Sequence, residues 1–213
     1  SGLDAQNKRW TCKGATIGDT VLIRKKRKSK GTLVQITTES EQRIEGKCPH
    51  FLVCGGCQFQ HTPLSVQRSA KEDMVRRLFP NFEGAFHPIQ GASNGYQYRN
   101  KMELSFGRRR FYSSPPAEKP DDGSYLGMHP WGWYSKIVPL KQCSLADPLI
   151  DQAIRLLSDL DLSPAWDTYN HCGVWRHIIF REGNGLLVNL ITSSEAQRDD
   201  LVMVSEKLQK IPG

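Results

Sequence analysis

Three cysteines within ten positions, in "KCPHFLVCGGCQFQH" (47–61), constrain this chain more than any other stretch. Their spacing is Cys48-x5-Cys54-x2-Cys57. Six cysteines in 213 residues is not the density of a disulfide scaffold, and "SGLDAQNKRW", which holds no apolar secretion segment, makes a reducing compartment the expectation. In a reducing, cytoplasmic setting, clustered thiols read as metal ligands or redox groups. Structural zinc draws its ligands as two close pairs, and here there is one tight pair, a third cysteine before it and no second pair. Three local cysteines with one distant partner is a pattern of iron–sulfur proteins, and Gly55 and Gly56 let the backbone turn and aim N–H groups at sulfur. The fourth-ligand candidates are Cys12, Cys143 and Cys172. Cys143, in "PLKQCSL", stands in a loop held at both ends by a predicted strand and helix, and is preferred over Cys172 in "NHCG". Zinc would turn instead to His50 and His61.

The charge points to a polyanionic partner. The net charge is +7, and much of the excess is local: "RKKRKSK" (24–30) holds six basic residues in seven, and "RRR" (108–110) adds three. Clustered cations with nearby aromatic rings favour RNA or DNA. No run of ~18 apolar residues offers a membrane-spanning helix.

"TVLIR" and "GTLVQIT" predict a hairpin with a basic tip. Thr62 is expected to cap a helix with Pro63 at its first position and Pro80 stopping it, and its stripe Val66, Ala70, Met74 and Leu78 is expected to pack in a core. "GYQYRNKMELSFG" (95–107) alternates as a strand, with Tyr96, Tyr98, Met102, Leu104 and Phe106 on one face. A polar turn (113–124) precedes further strands in "YLGMHPWGWYSKIVPL". A helix is expected from Asp147 and Pro148 with Leu149, Ile150, Ala153, Ile154 and Leu157 inward, then a hairpin about "GNG". A last helix near 195–210 carries Leu201, Val204, Leu208 and Ile211.

Taken together in this order, "CPHFLVCGGCQFQH", "PLSVQRSAK", "YRNKMELSFG", "IVPLKQCSL" and "GVWRHIIFREG" resemble the S-adenosylmethionine-dependent RNA uracil-C5 methyltransferases, in the branch with a 4Fe–4S cluster that acts on ribosomal or transfer RNA. The resemblance implies an α+β chain in three parts. Residues 1–46 would form a partial TRAM-like β-barrel of the oligonucleotide-binding kind. Residues 47–80 would form the cluster loop and its helix, and 81–213 a central RNA-binding α/β domain with an antiparallel sheet. It implies Cys48, Cys54, Cys57 and Cys143 as cluster ligands. The family's C-terminal domain, which binds S-adenosylmethionine and holds the nucleophilic cysteine, has no counterpart here. The chain is therefore expected to be inactive alone, a monomer, with no membrane partner. Its share is RNA capture: Lys25, Lys26, Arg27, Lys28, Arg99, Lys101 and Arg108 on phosphates, Trp131 and Trp133 on bases, and Arg176 and His177 toward RNA or the absent domain. The alternative is a non-catalytic iron–sulfur or zinc RNA-binding module.

Overall fold

The computed structural model describes residues 1–117 and 123–211. Of the predicted turn at 113–124, residues 113–117 are irregular chain, while 118–122 and the end of "IPG" lie outside the described residues. The chain divides into two compact units. One is residues 1–47 with 57–91, the other residues 48–56 with 92–213.

The first unit is built from two small antiparallel ribbons and a helix. Strands β1 (Gly2–Leu3) and β2 (Arg9–Trp10) pair, as do β3 (Thr20–Lys25) and β4 (Gly31–Thr38). The second pair is the expected basic hairpin. Its tip turns through Lys28 and Ser29, both left-handed at φ 55° and 54°. Trp10 is buried, its indole N–H donates to Asp4 Oδ2 at 2.9 Å, and Lys8 and Lys25 each stand 5.0 Å from its ring. The described strands do not close into a barrel, so the barrel expectation is met only as separate two-stranded pieces.

Asp19 ties this unit together at the foot of the hairpin. Its carboxylate accepts from the N–H groups of Thr16 (2.7 Å) and Ser40 (3.0 Å) and pairs with Arg43 Nη2, and its side chain has no exposed surface. Burial alone would raise its pKa. The Arg43 guanidinium and the two backbone donors outweigh that and bring it down to about 2. A carboxyl whose folded pKa lies below its ordinary 3.8 adds stability above that value and loses it as pH falls toward 2. Thermal melts should therefore weaken between those pH values for the wild type. Asp19→Asn should remove that slope and cost about 2 kcal/mol at neutral pH, because Arg43 loses its carboxylate and keeps only a neutral acceptor such as the Gly14 carbonyl.

Helix α1 (Leu64–Leu78) corrects two expectations. Pro63 is the N-cap rather than the first helical residue, and Thr62 does not cap: its hydroxyl meets that of Thr16 at 2.6 Å. The apolar stripe is not core either. No residue of α1 is buried, and Met74 and Leu78 are more than half exposed.

The second unit is a two-layer α/β sandwich. Strands β5 (Lys101–Gly107), β6 (Tyr125–Met128), β7 (Val138–Pro139), β8 (Trp175–Glu182) and β9 (Leu186–Thr192) form one antiparallel sheet in the order β7-β6-β5-β8-β9. Helices α2 (Pro148–Ser158) and α3 (Arg198–Leu208) pack with it. Asp147 caps α2 by accepting from Leu149 N–H at 2.9 Å, and Ile150, Ala153, Ile154 and Leu157 are buried as their spacing predicts. They meet Met102, Leu104 and Phe106 of β5 and Ile178 and Phe180 of β8. Apolar groups of this kind leave water for a close-packed interior, the main drive for folding.

Strand β5 is shorter than its alternation predicts. Gln97 turns to φ 56°, and the N–H groups of Gln97 and Arg99 donate to the carbonyls of Ser144 and Leu145. The segment before Lys101 is drawn to the Cys143 loop instead of the sheet, which leaves Tyr98 half exposed. Helix α3 buries Val204, while Leu201 borders an open groove of about 610 Å³ against β9.

Candidate cysteine site and nucleic-acid interface

In the second unit, residues 48–56 dock on the sheet through backbone. Gly55 N–H donates to His129 O at 3.0 Å, and a Cβ on Gly55 would collide with that same carbonyl. The glycine is required by close approach rather than by an unusual dihedral angle. Arg99 Nη2 donates to Gly56 O at 2.8 Å, so this predicted phosphate contact holds the cysteine loop.

Cys48 and Cys54 are buried, Cys143 is half-buried, and all six thiols are free of disulfides. Burial pushes the Cys143 thiol up, and the nearby Cys48 sulfur adds to this. The N–H groups of Leu145 and Ala146 and the Arg99 charge act the other way. Gly56 N–H points at Cys54 Sγ at 3.4 Å. In the first unit, Gln60 Nε2 donates to Cys57 Sγ at 3.2 Å. Donors thus face the sulfurs of Cys54, Cys57 and Cys143. Among the described residues, no three His, Cys, Asp or Glu side chains form a closed metal-holding group. Cys172 is exposed. Of the zinc alternatives, His50 Nε2 already accepts from Lys141 N–H at 3.4 Å, and His61 is buried, which lowers its pKa.

The predicted RNA residues fall on two surfaces. Lys25, Lys26, Arg27 and Lys28 crowd the exposed tip of the first unit's hairpin, where Lys25 also reaches Asp4 at 3.6 Å. In the second unit, Lys101 is exposed on β5, and Arg108 stands 3.8 Å from the buried Asp167. Asp167 also accepts from the N–H groups of Tyr169 and Asn170 and from Asn170 Nδ2. These donors, with the Arg108 charge, hold its carboxyl below the ordinary range.

Trp131 and Trp133 are about half exposed in the turn between β6 and β7, and Lys136 Nζ lies 4.9 Å from the Trp133 ring. Arg176 stacks 4.4 Å from the Trp166 ring. His177 sits on the outer face of β8, and burial is the largest cause of its lowered pKa. The sequence reading missed Arg109 over Tyr169 at 4.4 Å and the 82%-exposed Tyr134. The "RRR" run was the available signal for Arg109; nothing marked its aromatic partner.

No protein-family model matches the chain. It is 31% identical over 207 residues to an uncharacterized RNA methyltransferase of Caldanaerobacter subterraneus subsp. tengcongensis, covering 89% of this chain and 43% of that protein. An uncharacterized RNA methyltransferase of Porphyromonas gingivalis is 32% identical, covering 76% and 38% respectively. The fold is similar to part of the crystal structure of Pyrococcus abyssi tRNA (uracil-54, C5)-methyltransferase in complex with S-adenosyl-L-homocysteine. The TM-score there is 0.62 at 20% identity, over 90% of this chain and 43% of that one. The chain spans about two fifths of the length of the curated relatives it matches. Over that length, the chain resembles proteins named RNA methyltransferases.

Proposed function

We propose that this chain is the RNA-capturing, iron–sulfur part of an enzyme that methylates uridine C5 in ribosomal or transfer RNA. The observation that carries the reading is the pairing of cations with exposed rings, Lys136 with Trp133 and Arg109 with Tyr169, beside the charged hairpin tip. Cations neutralise phosphates, and exposed rings stack on unpaired bases for about 1–3 kcal/mol each. Residues 1–46 are the TRAM-like portion and 81–213 the central portion, with 47–80 between them. S-adenosylmethionine binding and methyl transfer belong to the rest of the longer protein.

Cys48, Cys54, Cys57 and Cys143 would hold the 4Fe–4S cluster. When bound, it would cross-link the cysteine loop to the "KQCSL" loop as a structural staple. The chain's own contribution is an N–H donor at Cys54 and, at Cys143, two backbone N–H groups and the Arg99 charge. A zinc or iron–sulfur RNA-binding protein without methyl transfer is the alternative.

Binding to a single-stranded RNA over a salt series tests the capture role. If the four hairpin cations each meet a phosphate, affinity should fall about 50-fold for a fourfold rise in salt. Replacing Lys25, Lys26, Arg27 and Lys28 with Ala should flatten that dependence. A salt-independent affinity, or an unchanged slope in the variant, counts against the hairpin as a phosphate-binding tip. Methylation is tested with the full-length protein, S-adenosylmethionine and unmodified RNA, with nucleosides analysed by mass. Absence of 5-methyluridine would favour the alternative.

A further inference from the structure

The outer face of the second unit's sheet carries a hydrogen-bond chain with a single allowed direction. His129 Nδ1 lies 3.0 Å from the Lys136 carbonyl oxygen. A carbonyl only accepts, so in neutral His129 the proton is on Nδ1 and Nε2 is a lone pair. His129 Nε2 lies 3.2 Å from Ser105 Oγ, so it accepts the serine's one hydrogen. Ser105 Oγ is also 3.2 Å from His177 Nδ1. With its hydrogen already given away, the hydroxyl can only accept there, so His177 carries its proton on Nδ1. Its Nε2 is left as an acceptor, and it is not among the buried unpartnered atoms.

The surroundings favour this neutral form. Burial is the largest cause that lowers the His177 pKa and the Arg176 charge adds to it, against the opposing Glu103 carboxylate of β5. On β9 the residue paired with His177 is the uncharged Ile191. Lys101 and Arg181, paired across β5 and β8, supply two cations on the same face. A neutral histidine in water interconverts between two tautomers with Nε2–H the commoner; here two other side chains and a carbonyl impose Nδ1–H.

We propose that His177 Nε2 is a specificity-determining acceptor that reads a hydrogen-bond donor of an RNA nucleotide lying on this sheet face. Ser105 and His129 are the positioning residues that hold its tautomer. This rests on the RNA-binding reading above and deepens it. The donor is a ribose 2′-hydroxyl or a guanine amino group, and the 2′-hydroxyl is the group that separates RNA from DNA. Acid should abolish the reading, because protonated His177 becomes a donor at both nitrogens.

Two measurements test the proposal. Ring nitrogen shifts by NMR should show His177 and His129 both protonated at Nδ1, and Ser105→Ala should release His177 from that form. A His177 proton found on Nε2 in the wild type overturns the proposal. The second measurement compares a short mixed-sequence single-stranded RNA, its 2′-deoxy counterpart containing uracil, and the RNA with inosine replacing guanosine.

The wild type should bind the RNA about five- to tenfold more tightly than at least one of the two analogues, the worth of one hydrogen bond. His177→Ala should erase that difference with an unchanged thermal melt, and Ser105→Ala should reduce it. Sensitivity to the deoxy probe assigns the donor to ribose, and sensitivity to inosine assigns it to guanine. Equal discrimination by wild type and His177→Ala overturns the proposal while RNA capture stands. If the wild type binds none of the probes, the capture reading falls and the proposal falls with it.

Discussion

Anaerobically purified wild-type protein should carry about four irons and four sulfides per chain, and Cys143→Ser should retain fewer than about one iron. The brown absorption of the cluster should disappear with the metal. Burial and the neighbouring Cys48 sulfur hold the Cys143 thiol protonated in the metal-free chain, against the Leu145 and Ala146 N–H groups and Arg99, so a bound metal would have to displace its proton. Cys172 is exposed and serves as the control: Cys172→Ser should keep its iron. A cluster that binds only the folded chain also stabilises it by mass action, so the Cys143 variant should melt at a lower temperature. One equivalent of zinc in colourless wild-type protein would replace the iron–sulfur assignment with a structural zinc. Iron retained in full by Cys143→Ser would remove Cys143 from the ligand set.

Phe180→Ala should destabilise the second unit by about 3–5 kcal/mol, through lost burial and the cavity left behind. Phe180 has no exposed surface and lies on β8, opposite Met102 on one side and Val188 on the other. Since a domain's net stability is about 5–15 kcal/mol, this is a large fraction of the whole. The midpoint of urea unfolding should fall with little change in slope. Tyr134→Ala, at an exposed position of the same unit, should stay within about 0.5 kcal/mol of wild type. Equal stability of the Phe180 variant would mean that α2 and the sheet do not share the core described here.

The contrast between α1 and α2 shows what periodicity reports. Both helices display apolar residues at helical spacing. In α2 the Asp147–Pro148 start and the run from Ile150 to Leu157 coincide with burial against the sheet. In α1 the same kind of stripe remains open at Met74 and Leu78. Spacing identifies a face that can be covered; the covering surface comes from elsewhere in the chain. Alternation in 95–107 misleads in a related way. It continues through Tyr96 and Tyr98, but Gln97 and Arg99 give their N–H groups to the Cys143 loop, and that competition decides where β5 begins.

The candidate site divides along the same line. Cys48, Cys54 and Cys57 are legible because neighbours in sequence must be neighbours in space, and the hairpin cations are legible for that reason too. Arg99 reads as a phosphate contact from its alternation, yet its guanidinium is bonded to Gly56 O.

Local order along the chain settled the cysteine loop, helix α2, the β8–β9 hairpin and the charged tip, since each depends on residues a few positions apart. Bringing Cys143 toward Cys48, and Ser105 between His129 and His177, required the folded sheet and its loops. Those groups are separated by tens of residues, and no short-range propensity links them. Only closure of the chain, driven by burial of the shared core, sets their distances and with them the direction of each proton.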